Sequence, residues 1–235
     1  MLARGAVHKH RDVQDGTARA AVFGVSDGLV SNVSLILGIA GASTDPSIIR
    51  VAGISGLLAG AVSMAAGEYV SLQAQKELVE RELLIEKKSI DTNLEDETAE
   101  FKSIYEERGI DSDLAEEVAR QIMSNSEIAL EVHIREELGV NPEQLGNPIM
   151  AAGSSFVSFS FGAFVPLIPW LAGEGNAAIW TSAILGVTCT ALVGGVLARL
   201  SGRSVFKISL RQMLVATAAC SATYLIGSLL GTSIG

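Results

Sequence analysis

Residues 73–145 read QAQKELVERELLIEKKSIDTNLEDETAEFKSIYEERGIDSDLAEEVARQIMSNSEIALEVHIREELGVNPEQL and separate two apolar parts of the chain. They hold 20 of the chain's 26 Asp and Glu residues and 8 of its 17 Lys and Arg residues. We therefore expect this segment to lie in water and its flanks to lie in a lipid bilayer. An acidic soluble module between membrane helices is suited to binding cations.

The composition also indicates a membrane protein. Of 235 residues, 49% are hydrophobic and 24 are Gly, with a mean hydropathy of +0.39. Abundant Gly at positive mean hydropathy is typical of closely packed membrane helices. The net charge of −9, without a Lys/Arg cluster, argues against a nucleic acid partner. Cys189 and Cys220 lie in apolar runs without zinc-binding spacing, so we expect no cysteine metal site.

Five apolar segments are long enough to cross a bilayer, which takes about 20 helical residues. They are residues 20–42, 48–72, 148–173, 175–198 and 212–235. We predict an all-α membrane protein with five transmembrane helices and a helical bundle inserted between the second and third. The expected parts are an N-terminal tail with helices 1 and 2 (1–72), the acidic bundle (73–145), and helices 3 to 5 (146–235).

The distribution of Lys and Arg predicts the orientation. Outside the acidic segment, only Arg50 falls on one side of the membrane, whereas the N-terminal tail and the loop before the fifth helix carry the other eight. These are Arg4, Lys9, Arg11, Arg19, Arg199, Arg203, Lys207 and Arg211. Because positive loops stay inside, the N-terminus and residues 73–145 are predicted to be cytoplasmic. The first 19 residues lack the apolar core of a signal peptide, so we expect them to be retained.

Capping residues divide the acidic segment into four helices. The first continues the second membrane helix through residues 75–88 and breaks at 91–93. Thr92 with Glu95 fits a capping box for the next helix, which Gly109 would end. Asp111 or Ser112 would cap a third helix running to Met123. Ser126 would cap a fourth that stops at Gly139, and the Asn-Pro pairs at 141–142 and 147–148 would return the chain to the membrane.

Two further patterns concern the membrane helices. Pro166 and Pro169 should kink or break the third helix near its outer end. Glycines recur at four-residue spacing, which suits close helix contact in lipid, either within the chain or at a dimer seam. These pairs are Gly24 and Gly28, Gly56 and Gly60, and Gly227 and Gly231.

Three polar or sulfur-bearing side chains inside the first two helices are candidate pore residues. A carboxylate such as Asp27 within a membrane helix is costly and usually faces a polar pathway, although it can also be structural. Met64 and Glu68 share one face of the second helix at i, i+4. A thioether beside a carboxylate favours a borderline-soft divalent cation. Taken singly, Met64 could be a core residue and Glu68 an interfacial carboxylate.

The acidic segment offers a second set of metal ligands. Glu97 and Glu100 lie at i, i+3, and His133 and Glu137 at i, i+4. Carboxylates with a neutral imidazole form the ligand sets of Fe²⁺ and Mn²⁺ sites. A solvated helix face is the alternative for any single Glu. A di-iron enzyme of the ferroxidase type is disfavoured, because its Glu-x-x-His pair is missing: Leu130 stands three residues before His133.

The motifs AVFGVSDGLV at 21–30, AVSMAAGEYVS at 61–71 and ALEVHIREELG at 129–139 resemble the vacuolar iron transporter family. The resemblance covers essentially the whole chain and implies a homodimer with the ion path between protomers. It also implies export of Fe²⁺, and in some members Mn²⁺, from the cytoplasm in exchange for protons.

Carried over by position, the resemblance makes Asp27 and Met64 pore residues and Glu86, Glu97, Glu100 and Glu137 metal ligands of the soluble module. His133 replaces a methionine ligand of the family. Acidic residues typical of plant members are missing at Gly16, Ala20 and Gly56, and a module glutamate is missing at Ser89. Glu68 is a candidate replacement for the carboxylate missing at position 56.

We therefore predict a transporter, not an enzyme, that exports Fe²⁺ or Mn²⁺ by proton antiport and needs no cofactor besides the ion it carries. A membrane-anchored metal sensor or scaffold is the alternative. The expected location is the plasma membrane for a bacterial chain and the vacuolar membrane for a eukaryotic one. The sequence leaves open which ion is physiological.

Overall fold

The computed structural model describes residues 16–137 and 146–234, which are almost entirely helical and contain no strand. The predicted all-α class is confirmed. The helices are α1 (Gly16–Ala42), α2 (Pro46–Thr92), α3 (Leu94–Glu107), α4 (Ser112–Met123), α5 (Ser126–Glu137), α6 (Pro148–Phe164), α7 (Ile168–Ala172), α8 (Gly175–Leu200) and α9 (Val205–Ile234). The predictions for Arg4, Lys9, Arg11, Gly139 and the Asn-Pro pair at 141–142 lie outside the described residues.

Within the described ranges, five helical segments are long and apolar enough to cross a bilayer, as predicted. They are Ala21–Ala42, Pro46–Thr92, Pro148–Ala172, Gly175–Leu200 and Val205–Gly231. The last begins at Val205 and not at residue 212, so Lys207 and Arg211 lie on the helix and not in the loop before it. Long cationic side chains near a helix end can extend to the membrane surface, so their charges do not stop the helix.

The chain divides into two compact units, Met1–Val70 with Gly146–Gly235, and Ser71–Leu145. In the first unit α1 packs against α6, α8 and α9. A Cβ at Gly28 would lie 2.3 Å from the Phe159 carbonyl oxygen, and one at Gly162 would lie 2.3 Å from that of Val25. Glycine at these positions therefore lets the backbones of α1 and α6 touch.

The other predicted glycine pairs also face neighbours in the same chain. A Cβ at Gly227 would lie 1.9 Å from the Gly38 carbonyl oxygen, and one at Gly60 would lie 2.2 Å from the Phe159 ring. Within the described residues, the small-residue pattern therefore serves intramolecular packing.

The third membrane helix is broken at the prolines, as predicted. α6 ends at Phe164, a 3-10 turn spans Val165–Leu167, and α7 begins at Ile168. Proline has no N–H to donate and its ring obstructs the preceding turn. Arg50 of α2 donates from Nε to the Trp170 carbonyl oxygen at 2.6 Å, and from its guanidinium to that of Gly173 at 3.3 Å. These bonds satisfy carbonyl groups at the C-terminal end of α7.

In the second unit α3 packs against α4, and α4 against α5. Asp111 caps α4 by accepting from the Asp113 N–H at 3.1 Å, as predicted. Gly109 follows α3 with a φ of +87°, a conformation that favours glycine, and this prediction is also confirmed.

Two capping predictions in this unit are wrong. Thr92 is the last residue of α2, and its hydroxyl donates to the Lys88 carbonyl oxygen at 2.8 Å, so the N-cap of α3 is Asn93. Threonine within a helix commonly satisfies its hydroxyl in this way. Ser126 is the first residue of α5, and the Asn125 Oδ1 accepts from the Ile128 N–H at 3.3 Å. In both cases the neighbouring Asn takes the cap position.

Candidate metal-binding sites

A cavity of about 300 Å³ lies in the first unit between α1, α2 and Phe159 of α6. Its lining residues on α1 recur at 27, 31, 32 and 35, and those on α2 at 56, 60, 63 and 64. Each set is one face of a helix, because residues three and four apart lie above one another. The lining is Asp27, Ser31, Asn32, Leu35, Gly56, Gly60, Ser63, Met64 and Phe159.

Two glycines let side chains that line the cavity pack directly against α2. A Cβ at Gly56 would lie 2.3 Å from the Leu35 Cδ2 and 2.8 Å from the Asn32 Oδ1, and Gly60 faces the Phe159 ring. The side chains of α1 therefore project toward a part of α2 that has none of its own.

The structure places the predicted pore residues Asp27 and Met64 in the lining of this one cavity. Asp27 is exposed and Met64 is half-buried. The Ser31 hydroxyl donates to the Asp27 backbone carbonyl at 2.6 Å, not to its carboxylate. Across the described ranges, no cationic side chain forms an ion pair with the Asp27 carboxylate. A carboxylate and a thioether can therefore face the same bound cation.

Glu68 lies one turn beyond Met64 on α2 and is half-buried. It does not line the cavity in this chain. Its assignment to the pore stays a prediction.

A second cluster lies in the other unit, where Glu86, Glu97 and His133 each bring one possible ligand atom within 4.8 Å of the others. The imidazole Nε2 lies 3.3 Å from the Glu86 Oε1 and 3.8 Å from the Glu97 Oε2. Glu86 is on the last turns of α2, Glu97 in the first turn of α3, and His133 on α5. Three different helices therefore each bring one side chain to the same point.

Burial makes this cluster different from a solvated acidic surface. His133 is 0% exposed and Glu97 is 8% exposed, and the His133 ring lies 5.5 Å from the buried Phe101 ring. Two carboxylates in such a place are costly unless a cation compensates their charge. Two oxygen donors and one imidazole suit Fe²⁺, Mn²⁺ or Zn²⁺. Three protein ligands also leave coordination positions open, as in sites that exchange what they bind.

Ser89 is a site residue that sequence reasoning did not identify. It was noted only as a departure from the family pattern, yet its hydroxyl donates to the Glu97 Oε1. Glu97 then directs Oε2 toward His133. Its position one turn after Glu86 on α2 was the available signal.

Of the remaining predicted ligands, Glu100 is not brought into this cluster. It is exposed, because Glu97 and Phe101 form the buried stripe of α3 and Glu100 falls beside it. The side chain of Glu137 lies outside the described residues. Both assignments stay predictions.

The same unit also carries charged side chains outside the cluster. Lys102 on α3 contacts Glu116 on α4 at 3.0 Å, and this hydrogen bond lowers the pKa of the Glu116 carboxyl and raises that of the Lys102 ammonium. Burial, with a smaller contribution from Glu136, raises the pKa of the Tyr105 phenol. Tyr105 packs edge-on against Phe101 at 5.1 Å.

Comparison with known proteins finds a family model, described as the VIT family, that matches residues 18–228. Vacuolar iron transporter 2 of Oryza sativa subsp. japonica is 28% identical over 207 residues, which are 88% of this chain and 84% of that protein. The vacuolar iron transporter of Acanthamoeba castellanii is 34% identical over 164 residues, 70% of this chain and 59% of that protein. Vacuolar iron transporter homolog 1 of Arabidopsis thaliana is 29% identical over 217 residues, 91% of this chain and 83% of that protein.

Proposed function

Because this chain belongs to the VIT family, we propose that it is an integral membrane transporter that exports Fe²⁺, Mn²⁺ or both from the cytoplasm. The observation that carries the proposal is the cavity where Asp27 and Met64 meet between two membrane-spanning helices. The names of the relatives support iron as one of the ions. No chemical reaction is assigned to the chain.

The donor set of the cavity supports a transition metal as cargo. The Asp27 carboxylate offsets cationic charge where the bilayer makes charge costly. The Met64 thioether adds a soft donor, which favours Fe²⁺ and related ions over Mg²⁺ or Ca²⁺. In this proposal Glu68 adds a second carboxylate at the end of the path.

The cluster of Glu86, Glu97 and His133 is the proposed collecting site. Its open coordination positions would let a bound ion exchange with water or with further carboxylates. Glu100 and Glu137 are proposed as such outer ligands, because they lie one turn from Glu97 and His133 in sequence. The net negative charge of the segment attracts divalent cations from solution.

Proton antiport is the proposed energy source. Metal ions and protons compete for the same carboxylate, so protons arriving from the far side would release the ion from Asp27. The sequence carries no nucleotide-binding signature that would point to ATP as the energy source.

We propose that two copies of the chain form the path. On the cavity side of α2, Ala59 and Ser63 are exposed, and Asp27 is also exposed. A two-fold copy on this face would cover them and surround the ion with two sets of ligands. In a chain without Cys189 and Cys220, Ala59→Cys should form an intermolecular disulfide. Leu192→Cys, exposed on α8, should not.

The proposed orientation follows from Lys and Arg, with the N-terminus and residues 73–145 in the cytoplasm. The membrane would be the plasma membrane in a bacterium and the vacuolar membrane in a eukaryote.

The test is Fe²⁺ and Mn²⁺ uptake into proteoliposomes with an acidic interior. Asp27→Asn should abolish uptake, because the neutral amide cannot offset the cation's charge. Asp45→Asn makes the same chemical change at the start of α2, where Asp45 accepts from the Ser47 N–H and an amide can also cap. It should transport normally.

Metal uptake at the same rate with and without the pH gradient would contradict antiport. Tight metal binding without any flux would favour the sensor or scaffold, since the buried Glu86, Glu97 and His133 cluster could serve that role alone.

A further inference from the structure

Asn32 is an additional polar residue of the α1–α2 cavity that neither the family resemblance nor the sequence pattern identified. It lies five residues after Asp27, or about 7.5 Å further along the helix axis. Its side chain is only 2% exposed, although it lines the cavity. An amide inside a membrane-spanning helix is unfavourable unless both its donor and its acceptor are used.

The hydrogen bond of the amide nitrogen fixes the direction of the oxygen. Asn32 Nδ2 donates to the Ala163 carbonyl oxygen at 2.7 Å. A carbonyl can only accept, so the NH₂ group must face Ala163 and the side-chain oxygen must point elsewhere. It points toward Gly56, where a Cβ would lie 2.8 Å away.

The oxygen itself has no hydrogen-bond donor among the described residues, although it is fully buried. Buried acceptors in this situation usually bind something that the protein contacts do not supply. Asn32 and Gly56 both line the cavity, so a ligand of this oxygen would lie there, between α1 and α2.

Resting on the proposed transport function, we infer that the Asn32 Oδ1 is a metal ligand at a second position along the ion path. α1 and α2 run antiparallel there, since Gly53 lies beside Ile36 and Gly56 beside Leu35 and Asn32. Asp27 and Met64 form the first position, and Asn32 at the level of Gly56 forms the second. A neutral amide oxygen is a hard donor that suits Mn²⁺ and Fe²⁺ and holds them less tightly than a carboxylate, so the ion can leave again.

The test measures Mn²⁺ binding to the purified full-length chain carrying His133→Ala, which removes the imidazole ligand from the cluster of Glu86, Glu97 and His133. Binding that Asp27→Ala removes is assigned to the cavity. Asn32→Ala should weaken this binding at least about tenfold, the scale on which lost metal-site interactions act. Asn32→Asp, which keeps an oxygen at this place, should retain it.

Ser182→Ala is the matched control for a lost buried hydrogen bond, because the Ser182 hydroxyl donates to the Pro166 carbonyl oxygen away from the cavity. It should bind as the parent does. If Asn32→Ala does not fold, Gly56→Ala decides, since its methyl group would occupy the space beside an intact Asn32 oxygen. It should produce the same loss.

Unchanged affinity in Asn32→Ala, or in Gly56→Ala if Asn32→Ala does not fold, would overturn the inference, as would a parent chain with no Asp27-dependent binding. The proposed function fails separately. A wild-type chain that binds Mn²⁺ through Asp27 and Asn32 but shows no flux in liposomes would refute transport and leave the role of Asn32 standing.

Discussion

The His133 Nε2 lies 3.3 Å from the Glu86 Oε1, although α3 and α4 stand between the two residues in the chain. Glu97 completes the group from the first turn of α3. The cluster therefore forms only when the helices of the second unit have packed, and metal binding and folding of this unit should be coupled.

Glu97 and Glu100 give a matched pair for testing the cluster, because they lie on the same helix and differ in burial. We use a chain carrying Asp27→Ala, which removes the carboxylate ligand of the cavity. In this chain we expect Glu97→Gln to weaken Mn²⁺ binding at least about tenfold. Glu100→Gln makes the same charge change at the exposed outer ligand, which water can replace, and should alter affinity less than about threefold. Calorimetric titration measures both. Equal losses would mean that Glu100 contributes as much as the buried Glu97 and that the segment rearranges around the metal.

Ser89→Ala should weaken Mn²⁺ binding in the same Asp27→Ala background. The Ser89 hydroxyl orients the Glu97 carboxylate, and interactions that orient a ligand are typically worth about 10–100-fold in metal affinity. Ser103→Ala is the control on α3, because that hydroxyl donates only to the Glu100 backbone carbonyl. Rescue by Ser89→Thr, which keeps the hydroxyl, would distinguish orientation of Glu97 from a packing defect.

The Lys102–Glu116 pair should make the contact between α3 and α4 depend on pH. The pKa of Glu116 is lowered by Lys102, so the stabilisation is present above the unfolded pKa of this carboxyl and is lost as the pH falls through its folded value. The pKa of Lys102 is raised, so the same stabilisation is lost again as the pH rises through that value in strong base. Glu116 is exposed and Lys102 is only half-buried, so water screens the pair and we expect a small effect.

The measurement is amide hydrogen exchange in residues 94–123 of the full chain, comparing Lys102→Met with wild type at one pH at a time. Exchange should be faster in the variant near neutral pH, and the difference should shrink near pH 4. Lys76→Met removes an exposed pair with Glu80 inside α2 and should leave these peptides unchanged. A difference that is constant over the whole range would show that the aliphatic part of Lys102, not its charge, matters.

Hydropathy was sufficient to predict the five membrane spans. Asp27 and Met64 were candidates because a carboxylate and a thioether are conspicuous on apolar segments and because the family resemblance marks both positions, but only the structure shows that they line one cavity. The start of α9 was predicted too late in the chain, because Lys207 and Arg211 were assigned to the loop before it. Composition does not distinguish a cation in a loop from one at the end of a helix.

The roles of Asn32 and Ser89 were not predicted from the sequence, because they depend on the register between helices. Asn32 is one of many small polar residues on α1, and only its contact with Ala163 of α6 shows where its oxygen points. Ser89 acts on the site by donating a hydrogen bond to Glu97. The two residues are brought together by the chain turn at Asn93, between α2 and α3.

Gly28→Ala should disrupt the packing of α1 on α6. The added methyl carbon would lie 2.3 Å from the Phe159 carbonyl oxygen, and backbone atoms cannot move aside as a flexible side chain can. Overpacking of this kind typically costs about 1–3 kcal/mol, and more where no rearrangement relieves it. Gly153→Ala on α6 is the control, because a Cβ there meets nothing within 4 Å and alanine is the better helix former. Thermal unfolding of both variants in detergent measures the difference: Gly28→Ala should unfold at a lower temperature than wild type, and Gly153→Ala at the same temperature or slightly above. Equal stability of the two variants would show that α1 and α6 are further apart than the structure places them.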